Sequence, residues 1–169
     1  MLHTPAPAPS LANPRYAGTP AFRAATRDGG RRVAWVHVAG ELDAAAAPLL
    51  RQTLGQATRR SRLVVLDLRE LTRVDSSGVH AIVHASAVAR RAGRRLILIR
   101  GLSQFDRLLA MIGATDAVEA VDLVTGEPAV QALLHIARQD RAALRVRARA
   151  ARRVMTVMGG TRSHAASTL

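Results

Sequence analysis

The chain has 169 residues, and its 25 basic side chains outnumber 12 acidic ones for a net charge of +13. It contains no cysteine, which excludes disulfides, thiolate catalysis and cysteine-ligated zinc or iron–sulfur centres. It has neither an apolar run long enough for a membrane span nor a basic-then-apolar start that would read as a signal peptide, so a cytoplasmic protein is expected.

Residues 1–20 are rich in Pro and Ala and read as a flexible leader. A strand is predicted near Ala21 to Thr26. Asp28-Gly29-Gly30 is a turn signal, and Arg32 to Val38 alternates as the second strand of a hairpin. Val36 to Asp43 then reads as a strand ending in a polar turn, followed by a helix from Ala44 to Arg59. Pro48 falls early in that helix, where its missing N–H costs little. Leu63 to Leu68 reads as a buried strand. Past Leu71-Thr72-Arg73 and Asp75-Ser76-Ser77-Gly78, helical spacing appears at Val79, Ile82, Val83, Ser86 and Val88, ending at Gly93 after Arg90-Arg91.

Leu96 to Ile99 is apolar on consecutive positions, as in a strand buried on both faces. Ser103 is expected to cap a helix through Ile112 that Gly113 closes, and Val118 to Val121 reads as a short edge strand. Thr125 is expected to cap another helix, with Pro128 near its start and Leu133, Leu134 and Ile136 toward its end. The order β-β-α-β-α-β-α-β-α predicts an α/β domain, a mostly parallel central sheet with crossover helices packed on it. With 33 alanines and four aromatics, its core must come from Val, Leu and Ile, and Trp35 is expected to be the one bulky anchor.

The turn between the 63–68 strand and the next helix is the most informative stretch. Asp75 or Ser76 is the expected N-cap, and Ser77 falls in the first turn, where a phosphate would meet the positive end of the helix dipole. Together, Gly40-Glu41-Leu42-Asp43 and Asp75-Ser76-Ser77-Gly78, at this separation and with these intervening elements, resemble the STAS domain of anti-sigma factor antagonists over roughly residues 21–137. The resemblance implies a STAS-like fold and a non-enzymatic role in partner switching that regulates transcription. Ser77 would be the phosphoacceptor, with Ser76 the alternative. An anti-sigma factor serine kinase would bind the surface around Glu41, Asp43, Asp75, Ser76, Gly78 and His80, and a serine phosphatase would reset the switch.

Plainer roles stay open for each of these residues. Asp75 caps the helix or orients the kinase. Gly78 allows close approach of the partner or only relaxes the turn. Glu41 and Asp43 contact the partner or form a solvated turn in which Asp43 caps the next helix. His80 and His84 are four apart, as metal ligands would be, but no third ligand accompanies them, so neither metal nor cofactor is expected. Ser77 has no oxyanion hole or substrate pocket in view, and no phosphate loop of the Walker kind appears, so no enzyme activity is expected. A related reading makes the serine turn an unphosphorylated docking surface in a larger assembly, such as a stress-sensing or lipid-transport complex.

Residues 138–169 carry eight arginines and one aspartate, more than half of the net charge. Arg138, Arg141, Arg145, Arg149 and Arg152 recur at helical spacing along one face, so this C-terminal extension is read as basic and helical. It either extends the last domain helix into solvent, the reading preferred from sequence, or meets nucleic acid, an anionic membrane surface or an acidic partner.

Overall fold

The computed structural model describes residues 17–18, 21–30, 32–124 and 126–160. In chain order they form β1 (Ala17–Gly18), β2 (Phe22–Asp28), β3 (Val33–Leu42), α1 (Ala47–Arg60), β4 (Leu63–Val74) and α2 (Ser76–Arg91). β5 (Arg95–Ile99), α3 (Ser103–Met111), a 3-10 turn (Thr115–Ala117), β6 (Glu119–Val121) and α4 (Gln131–Gly160) follow. The strands make one sheet in the order β1-β2-β3-β4-β5-β6, antiparallel across its first two pairs and parallel from β3 onward. This is the α/β architecture expected from the sequence. The chain divides into two compact units, an α/β body up to Ala129 and a helical segment from Val130.

Each parallel crossover in the body steps the same way across the sheet. The right-handed rule therefore places α1, α2 and α3 on one face. Alternate strand positions (Val36, Val38, Val64, Leu66, Leu68, Leu96, Leu98) form that face and pack with Leu50, Leu54, Ile82 and Leu109 of the helices. The intervening Val65, Ile97, Ile99 and Val121 are buried too, which is why the inner strands read as unbroken apolar runs.

Several boundaries differ from the sequence reading for physical reasons. α1 starts at Ala47 because Asp43 Oδ1 accepts from the amides of Ala45 and Ala46 (3.0 and 2.9 Å) and holds residues 44–46 in a turn. β4 continues through Val74, so Leu71-Thr72-Arg73 is strand and the serine turn follows it directly. Leu102, not Ser103, occupies the N-cap of α3, and the Ser103 hydroxyl accepts from Arg107 instead. Helices α2 and α3 both end one residue before the cap in the same way. Gly93 and Gly113 adopt φ of 66° and 65°, and the amides of Arg94 and Ala114 reach back to the carbonyls of Ala89 and Leu109.

The Thr125 cap lies outside the described residues, and the following helix begins only at Gln131, beyond Pro128. That helix, α4, runs unbroken past residues 137–138 and through Gly159-Gly160. Most of the expected leader also lies outside the described residues, while Ala17-Gly18 pairs with β2.

Trp35 is not the core anchor. It sits on the opposite face of β3 from Val36, is half-buried, and lies against the hairpin turn, where a Cβ on Gly29 would fall 2.4 Å from its Nε1. Among the described residues Phe22 and Phe105 are the aromatics of the core.

Among the described residues Asp67, in the middle of β4, is the one buried carboxylate. Arg69 clasps it, donating from Nε and Nη2 to Oδ1 and Oδ2 (2.9 and 2.7 Å) and from its own amide to Oδ1 (3.1 Å). The third guanidinium nitrogen of Arg69 donates to the Glu127 carbonyl at 2.7 Å, and His37 Nδ1 stands 3.5 Å from Asp67 Oδ2. Burial pushes the Asp67 carboxyl up, but His37 and the Arg69 fork outweigh it and hold the group well below the usual carboxylate range.

A carboxylate depressed in the folded state stabilises the fold above its unfolded pKa, about 3.9, and loses that contribution as pH falls. Asp67→Asn is therefore expected to unfold at lower urea than the parent at pH 6, with the gap narrowing steadily below about pH 4. A gap that stays constant down to pH 2 would show that the charge of Asp67 is not what matters.

Candidate functional site

The two sequence motifs meet at the carboxyl-terminal ends of β3 and β4. The parallel register sets Glu41 against Arg73 and Leu42 against Val74, and the Asp75 amide continues the pairing by donating to the Leu42 carbonyl at 3.1 Å. Glu41, Asp43, Asp75, Ser76, Ser77 and Gly78 thus share one rim, the place where open parallel sheets present ligands and partners. His80 is exposed one turn along α2.

Asp75 is the N-cap of α2. Its backbone is extended, Oδ1 accepts from the Gly78 amide at 3.0 Å, and its carbonyl accepts from Val79. Among the described residues the amides of Ser76 and Ser77 have no protein partner, so the helix start keeps two donors for water or an anion. Ser76 is exposed and Ser77 half-buried. Glu41, half-exposed, places Oε2 3.5 Å from Arg73 Nη1, a surface pair worth about 0–1 kcal/mol. Asp43 spends its carboxylate on the turn into α1, as its capping role requires.

Gly78 is helical and buried, and the neighbour that crowds it is within the domain. A Cβ there would lie 2.5 Å from Leu42 Cγ and 2.8 Å from the Leu42 carbonyl oxygen. The absent side chain lets α2 start directly on the end of β3. Sequence reasoning missed Leu42 and Arg73 in this rim, since each depends on a partner more than thirty residues away. It also missed the Asp67–Arg69 clasp, for which a signal existed: residues two apart on a strand share a face.

His80 and His84 are both exposed on α2, and no group of three or more metal-ligating side chains occurs among the described residues. Nor, among those residues, is any helix long and apolar enough to cross a membrane.

The contrast between two helical glycines gives a test by sign. A Cβ at Gly55 of α1 would meet only Arg59 Nη1, at 3.6 Å. Gly55→Ala is expected to stabilise the protein by up to about 1 kcal/mol through helix propensity. Gly78→Ala should instead cost about 1–3 kcal/mol through overpacking on Leu42. Chemical denaturation of both variants measures this, and stabilisation by Gly78→Ala would refute the close contact.

Comparison with known proteins places the chain. A family model described as "Mlab, STAS domain" matches residues 25–125. An anti-sigma-B factor antagonist of Listeria monocytogenes is 31% identical over 93 residues, 54% of this chain and 81% of that protein, and a Listeria innocua antagonist matches to the same extent. Among solved structures, an anti-sigma factor antagonist from Mycobacterium paratuberculosis superposes with a TM-score of 0.54 at 18% identity, over 70% of this chain and 97% of that one. The anti-sigma factor antagonist SpoIIAA in its unphosphorylated form has a TM-score of 0.51 at 18% identity, over 74% and 96%. The Bacillus cell fate determinant SpoIIAA in the phosphorylated form has 0.53 at 17%, over 67% and 98%. These structures share the fold. With the family model spanning most of the α/β body and a relative matched over most of its length, the chain belongs to the STAS domain family, among the anti-sigma factor antagonists.

Proposed function

We propose that the Glu41–Gly78 rim binds an anti-sigma factor that is itself a serine kinase, and that Ser77 is the residue it phosphorylates. The observation that carries this reading is the position of Ser77. It lies in the first turn of a helix capped by Asp75, beside free amides and on the rim that Glu41 and Asp43 complete. SpoIIAA, which shares this fold, is known in phosphorylated and unphosphorylated forms, and that supports a phosphate here.

The chemistry is a phosphoryl transfer in which this protein is the substrate. The γ-phosphoryl group of ATP passes to the Ser77 hydroxyl oxygen, the hydroxyl proton leaves to a base on the kinase, and ADP departs. The product carries about −1.5 to −2 charges and three further acceptor oxygens. At the helix start that charge is tolerated, contributing about 0.3–1 kcal/mol of favourable dipole interaction. A partner packed over the rim meets added bulk and an unpaired charge. A loss of about 3 kcal/mol there weakens the complex about a hundredfold, enough to release the anti-sigma factor, which then sequesters its sigma factor. A serine phosphatase restores the binding form. The exchange belongs in the cytoplasm, with the transcription machinery.

A second reading keeps the rim as a dock and drops the phosphate. The family model that matches carries a name other than that of the antagonists, and a docking subunit of a stress-sensing or lipid-transport assembly would use the same surface. Intact-mass analysis after incubation with ATP and an anti-sigma kinase separates the two. One added phosphate mapping to Ser77, absent in Ser77→Ala, is the expected result. Ser77→Asp should bind the anti-sigma factor about a hundredfold more weakly than the unphosphorylated parent does, while its urea midpoint stays close to the parent's. A phosphate on Ser76 would move the acceptor by one residue. No phosphate at all, with a stable complex, would favour the dock.

A further inference from the structure

Helix α4 carries a charged face that the rim does not use. Arg138, Arg141, Arg145 and Arg149 are all exposed, and their spacing confines them to an arc of about 80° on an α-helix. Ala142 and Val146 lie along one side of them, and together they border a shallow trough of about 390 Å³. Among the described residues no salt bridge involves any of the four. Asp140 is the only acid in residues 131–160, and at its helical angle it falls on the far side. The stripe is thus a row of cations about 16 Å long with no neutralising carboxylates of its own.

The partner must offer anionic charge along a line. A membrane surface fits poorly, because an interfacial helix needs one continuous apolar face with aromatic or leucine anchors. Residues 131–160 contain no aromatic residue, and the apolar line Leu144, Ala148, Ala151, Met155 and Met158 holds a single leucine and two alanines, too little for an anchor. An acidic protein surface would call for several large apolar anchors among the cations, and beside these arginines stand only Ala142 and Val146. A nucleic-acid backbone does match, with a phosphate every 3.4 Å on each strand of a duplex, about five over the length of the stripe.

We propose that Arg138, Arg141, Arg145 and Arg149 bind the sugar–phosphate backbone of nucleic acid without reading its bases. This does not depend on Ser77 or on partner switching. Each phosphate neutralised lowers log K by about 0.9 per decade of salt on duplex DNA and about 0.7 on a single strand. Four contacts therefore imply an affinity that falls about 150-fold between about 50 and 200 mM salt on a duplex.

Fluorescence anisotropy of the full chain with labelled duplex DNA and single-stranded RNA, several unrelated sequences of each, tests this across that salt range. The parent is expected to bind with little sequence preference, and the tighter of the two probes identifies the natural form. The fourfold variant Arg138→Gln, Arg141→Gln, Arg145→Gln and Arg149→Gln should lose most of the affinity and flatten the salt slope by about 3–4, with helix content by circular dichroism unchanged. A control removing the same charge from the α/β body (Arg51→Gln, Arg59→Gln, Arg60→Gln, Arg91→Gln) should keep the parent's slope. The proposal is overturned if the parent does not bind at about 50 mM salt, or if the control loses as much as the stripe variant. Binding to phosphatidylglycerol vesicles but to neither nucleic acid would overturn it in favour of a membrane surface.

Discussion

The rim depends on how closely α2 starts against the end of β3. Leu42 pairs with Val74, accepts the Asp75 amide through its carbonyl, and fills the space that any side chain on residue 78 would need. These three contacts bring two motifs more than thirty residues apart to one edge and fix the angle at which the serine turn is presented. Everything attributed to Ser77 presupposes them. They also explain why a glycine occupies the third position of a helix, where an alanine would ordinarily be the better helix former.

The electrostatics of the body divide into inner and outer parts. In the clasp the Asp67 carboxylate is buried, its oxygens satisfied by the Arg69 guanidinium and amide, and Arg69 spends its remaining nitrogen on the Glu127 carbonyl. Such a clasp is costly to break from one side because a buried charge would be left alone. The outer pairs are of another kind. Glu41–Arg73 and Arg95–Glu119 are solvent-exposed, so a binding partner can displace or re-pair them at little cost.

The sheet was legible in the sequence because its signals are local. Leu96–Ile99 is an unbroken apolar run, and Gly93 and Gly113 follow helices at the positions where a left-handed residue is wanted. The α/β class followed from element order alone. What escaped was set by distance or parity. Trp35 looks like a core residue by composition, but its odd position on β3 turns it away from the helices, and no local signal says which face they cover. Asp43 was readable as a cap, yet the extra turn it holds delayed α1 by three residues. At the site, Asp75 and the serines could be named from spacing. The packing of Gly78 on Leu42 could not, because it exists only once β3 and β4 are aligned.

One edge of the sheet is closed by β6, only three residues long, and its first residue is a glutamate bound to Arg95 of the neighbouring strand. A short charged margin offers few open backbone groups for strand addition. For the reversible exchange proposed at the rim, this bears on kinetics as well as solubility. Under that proposal association is left to the rim, where side-chain chemistry can change it, and kept away from backbone pairing, which a single phosphate could not undo.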